Sequence, residues 1–144
     1  MIEADTVRLL RECSSGLVMA TEAIDRVLRY VRHATMRQYL MKSKHRHLNF
    51  QQEIQGMLRE CGDDEKNPHP LVQKMAWCKI QTMMFVSPTD SMAARMITRG
   101  CHTGIASLSR YLNQYAAASE DAKELTKELI AEEEDLSVKI RQFL

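Results

Sequence analysis

The side chains of this sequence that could do chemistry gather at one height of two segments. Ser43, Lys44, His47 and Gln51 occupy places where an ordinary helix would turn Leu or Ala toward a core, and Glu132 and Glu133 break a second apolar seam in the same way. A polar layer between apolar turns must be hydrogen-bonded or serve a site, because an unpaired polar group away from water is costly. We therefore read Lys44, His47, Gln51, Glu132 and Glu133 as a buried polar layer. Two chemistries suit it. His47 and Glu133, joined by Glu22, could hold a single divalent cation. In the other reading no cofactor is bound, Lys44 and Glu133 form an ion pair, and His47 is hydrogen-bonded beside it.

Other catalytic patterns are missing. The chain has no Gly-rich phosphate loop, no nucleophile elbow and no His-Glu-x-x-His, and His33, His69 and His102 are scattered, as expected of surface or hinge positions. Cys13, Cys61, Cys78 and Cys101 form no Cys-x-x-Cys pair and no zinc-finger spacing, so they read as small buried hydrophobes of a reducing compartment. Of the ten methionines most sit at core spacing and read as core filling, with a Met-rich groove for partner helices as the alternative.

The elements that must position these residues are helices. Apolar residues recur by threes and fours throughout, strand signals are lacking, and 144 residues suit one all-α domain spanning 1–144. The spacing predicts helices over about 5–32, 35–61, 70–86, 88–116 and 119–143. Thr35 with Gln38 reads as a capping box, Gly62 as the residue that ends the second helix, Ser87 with Pro88 and Asp90 as the start of the fourth, and Ser119 as either the cap of the last or a turn within the stretch Ala116 to Ala118. Trp77 is expected to pack at the edge of the short third helix. Gly16, Gly100 and Gly104 lie in or beside apolar seams, which predicts close helix packing at those points. About 25 residues separate the second helix from the fourth, enough for a short helix and loop to travel back along a bundle roughly 40 Å long.

The stretch from Glu128 to Leu144, ELIAEEEDLSVKIRQFL, resembles the last helix of ferritin-like proteins, where an acidic pair leads into a Glu-x-x-His ligand motif. Glu133 matches the ligand glutamate, and Leu136 stands where the histidine belongs. In the second helix Lys44, His45, Arg46 and His47 replace the other Glu-x-x-His, while the fourth has no carboxylate between Asp90 and Glu120. The chain also resembles small bacterial ferritin-like families of unknown function and F-type spore-coat proteins. What the resemblance implies is a ferritin-like four-helix bundle, with a short extra helix in the long crossover and a degenerate metal site.

Charge is segregated beneath a formal net charge of +1. No acidic residue occurs from Arg26 to Gln52, while Arg26, Arg29, Arg32, Arg37, Lys42 and Arg46 gather there, and Glu120 to Asp135 is acidic. The basic end could meet nucleic acid or another polyanion; the alternative is that these cations serve helix C-termini and solvated faces, with poles that attract one another between subunits. No apolar run is long enough for a membrane span and no signal-peptide pattern opens the chain, so a cytoplasmic protein is expected. The sequence thus reads as a non-catalytic bundle that self-associates or binds a protein partner, with metal or redox chemistry and polyanion binding as alternatives.

Overall fold

The computed structural model describes residues 2–63 and 79–144. Among them every regular element is a helix: α1 (Ile2–Leu28), α2 (Ala34–Glu60), α3 (Asp90–Gln114) and α4 (Glu120–Ile140), followed by a 3₁₀ turn at Arg141–Phe143. Residues 79–86 are helical too, whereas the part of the expected short helix that holds Trp77 and Cys78 lies outside the described residues.

Short turns fold α1 against α2 and α3 against α4, and the two hairpins pack side by side, α1 on α3 and α2 on α4. Hydrogen bonds identify the ends. At one end, Thr6 Oγ1 accepts from the Ser119 amide and Asp5 from the Ala117 amide. At the other, the Asp90 carboxylate accepts from the amides of Arg32 and His33. The second helix therefore finishes at the end opposite the one where α3 begins, so α2 and α3 run the same way and the chain crosses the bundle's length between them. The connection length predicts that crossover.

Local chemistry explains the helix limits. Gly62 has φ +71, the left-handed conformation that closes a helix and that glycine adopts without penalty. Ser119 accepts from the Ala122 amide as the expected cap of α4. Two expected caps are displaced. His33, rather than Thr35, caps α2 by accepting from the Thr35 amide, and Thr89, rather than Ser87, caps α3 by accepting from Met92. Asp90 serves the α1–α2 turn instead of its own helix, which ties the two hairpins together.

The interior is divided in two. One apolar cluster, near the Asp90 end, includes Ile24, Val27, Met36, Leu40, Ala94, Ile97, Leu136 and Ile140. The other includes Leu10, Cys13, Leu17, Ile54, Leu58, Leu108, Leu125 and Leu129. The polar residues of α2 and α4 lie between them, in the interval from Leu40 to Ile54 on one helix and from Leu129 to Leu136 on the other.

Candidate functional site

At mid-height His47 is 1 % exposed and meets Glu133, which is 7 % exposed, across the α2–α4 contact. The Nε2 atom lies 2.5 Å from Glu133 Oε1, while Nδ1 lies 2.6 Å from the Ser43 carbonyl oxygen one turn back. A carbonyl oxygen only accepts, and so does an ionised carboxylate, so serving both requires a proton on each ring nitrogen. The geometry calls for an imidazolium. Burial works against that charge, but the Glu133 hydrogen bond and charge, the Ser43 carbonyl and the Glu132 charge together hold the His47 pKa above its ordinary value of 6.5.

Glu132 is satisfied separately. Its Oε1 accepts from Ser43 Oγ at 3.1 Å, and its Oε2 lies 3.3 Å from Arg46, which also pairs with Asp135 on the outside of α4. Gln51 donates to Ser14 Oγ at 3.2 Å and so extends the layer to α1. Ser43, already marked in the polar middle of α2, and Ser14, which the sequence reading did not place in the layer, are both buried. Ser14 escaped notice because a small hydroxyl at a core position is easily read as a substitute for Ala.

The expected Lys44–Glu133 pair does not form. Lys44 Nζ bonds Asp25 on α1 at 2.5 Å, with 29 % of its side chain exposed, so it lies at the rim of the layer. The reason is angular: Lys44 and His47 are three residues apart, which sets them about 60° from one another around the helix, so with His47 aimed at α4, Lys44 turns toward the α1 side. Glu22 is half-buried and does not complete a metal site, because no three His, Cys, Asp or Glu side chains converge suitably among the described residues. The donor chemistry does not fit a di-metal centre either. His47 is committed to Glu133, Leu136 and Lys44 hold positions that the resemblance assigns to ligands, and α3 presents Gly104 to Glu133.

The glycines need a second correction. A Cβ built on Gly16 or Gly100 meets nothing within 4 Å among the described residues, so neither marks a close helix crossing. A Cβ on Gly104 would lie 3.8 Å from Glu133 Cγ: this glycine makes room for a carboxylate side chain. Together the three line a cavity of about 650 Å³ between α1 and α3. Ala20, Ala23, Met96, Ile97 and Leu108 contribute apolar wall, and His47 with Glu133 reaches it from the far side of the bundle. Such a volume lies within the range of small-molecule sites, roughly 300 to 1,000 Å³.

Two buried thiols flank this region. Burial, with the charges of Glu133 and Glu132 and a hydrogen bond to Glu133, pushes the Cys101 thiol far up, while burial holds Cys13 at about 11. Neither forms a thiolate near neutral pH, so neither is equipped as a nucleophile.

The basic end is partly committed to the fold. Arg37 donates to the carbonyl oxygens of Leu28 and Val31, closing the end of α1, and Arg46 serves Glu132 and Asp135. Arg26 is half-buried, and Arg29, Arg32 and Lys42 are exposed around the same end. Comparison with family models, curated proteins and solved structures returns no match. Among the described residues no helix is long and apolar enough to cross a membrane.

Proposed function

We propose that the protein is a non-catalytic helical bundle of ferritin-like descent that binds an apolar guest in the cavity between α1 and α3. The observation that carries this reading is the pairing of an apolar-walled cavity with a polar layer whose hydrogen bonds close on themselves. A site poised for turnover leaves a base or nucleophile available, whereas His47 is bonded at both nitrogens and the Cys101 thiol is held in its protonated form. The parallel course of α2 and α3, which demands a crossover, supports the ferritin-like descent. The reading assigns no metal to His47 and Glu133, and it leaves the polyanion alternative only the exposed cations of one end.

Uptake of a neutral naphthylamine dye tests the reading. Fluorescence should rise and shift to the blue on mixing with the wild-type protein, and Gly100→Leu combined with Ala20→Phe, which fills the cavity, should abolish the change while the helical signal persists. Wild-type protein that takes up no dye would overturn it. A second reading, association with a protein partner or a second copy, is favoured by Phe85 and Val86, adjacent and 82 % and 76 % exposed. Sedimentation of the wild type and of Phe85→Ser separates the two, because only association predicts a mass that falls with the substitution.

A further inference from the structure

The cavity is charged unevenly along its length. On α3 its wall runs from Met96 to Tyr111, about 22 Å at 1.5 Å per residue, so the cavity is an elongated slot. Lys79 and Arg99, both exposed, stand on its border beside Ile80 and Gly100. Glu12 is on the border toward the start of α1, and Glu133 lies at the floor. Between these charges the lining is dominated by Leu, Ile, Met, Ala and Gly.

Building on the guest-binding reading, we propose that the slot takes a long-chain carboxylate, an amphiphile of the fatty-acid class, with its head at Lys79 and Arg99 and its chain laid between α1 and α3. The dimensions suit an extended hydrocarbon better than a compact ring system, and the small residues Gly16, Ala20, Ala23, Gly100 and Gly104 leave the helices' facing surfaces free of bulk along the slot. The charges fix the direction. A carboxylate carried to the floor would lose its water beside the His47–Glu133 pair, which is already closed and offers it no free cation. At the border it meets two cations and stays hydrated. The neutral total of the His47–Glu133 pair lets the chain pass over the polar layer without facing a net charge.

Displacement of the naphthylamine dye by hexadecanoate, hexadecanol and hexadecylamine, each below its aggregation concentration at about pH 8, tests the assignment. Two exposed charge contacts should let hexadecanoate displace dye at about fivefold lower concentration than the alcohol. Lys79→Gln with Arg99→Gln should remove that advantage, so that hexadecanoate and hexadecanol displace dye from the variant at about the same concentration. Equal displacement by all three chains, or a preference for the amine, would overturn the carboxylate assignment while the guest-binding reading stands. No dye uptake at all would remove both.

Discussion

Replacing Glu133 by Leu is expected to cost about 3 to 5 kcal/mol near pH 6, because it leaves a buried imidazolium without its counter-ion. The figure follows from burial: the two side chains are 1 % and 9 % exposed, so the small value of a surface salt bridge does not apply. In a domain of this size each kcal/mol moves the melting temperature by roughly 3 °C, so a loss of about 10 to 15 °C is expected. His47→Leu should cost about as much, now by stranding Glu133. The double variant, which puts two apolar side chains where the pair stood, should return to within about 1 kcal/mol of wild type or exceed it. Glu133→Gln keeps an acceptor for Nε2 and should lose only about 1 to 2 kcal/mol. Urea unfolding of the four variants as a double-mutant cycle gives the coupling directly. The pH dependence has a defined sign. The folded pKa of His47 lies above its unfolded value, so its contribution is complete below about 6.5 and is lost as pH rises through the folded value. The gap between wild type and Glu133→Leu should therefore narrow on the alkaline side. Single losses that simply add, or a gap that widens with pH, would refute the paired-charge account.

Other expectations follow from neighbouring contacts. Lys44→Met removes a half-exposed pair with Asp25, so it should cost less than about 1 kcal/mol and should not rescue Glu133→Leu in a thermal melt. Gly16→Ala and Gly100→Ala should each raise stability by about 0.5 to 1 kcal/mol, since the added Cβ meets open space and the helix gains propensity; a loss would restore the close-packing reading. Arg37→Ala uncovers the Leu28 and Val31 carbonyl oxygens and should lower the denaturation midpoint by an amount equivalent to about 1 kcal/mol. Among the described thiols, Cys61 should be alkylated first at neutral pH, with Cys13 and Cys101 reacting only on unfolding.

Periodicity carried most of the helical assignment because each long helix buries one stripe, and the number of residues between α2 and α3 was enough to permit the crossover that was expected. The turn chemistry was less legible. Thr35 and Ser87 have the right composition for caps, yet His33 and Thr89 perform the task, because competing side-chain acceptors within two residues differ by tertiary context rather than by type. The polar layer was visible as an interruption of two seams, but its pairing was not. Lys44 and His47 are neighbours on α2, and deciding which faces Glu133 needs the rotation of α2 relative to α4, which side-chain spacing alone does not provide. Gly104 was noticed for its missing volume; that the space admits Glu133 rather than a helix backbone depends on what α4 presents at that height.

Because the oily interior is split into two cells by a charged belt, the helices share a registration mark. Sliding α2 or α4 by a single turn would push His47, or Glu132 and Glu133, into hydrocarbon and pull an apolar side chain into the belt. A uniformly greasy bundle tolerates such slippage at small cost, whereas here the misfit scales with the price of a naked charge, so one vertical alignment of α2 against α4 is selected even if the belt adds little to net stability.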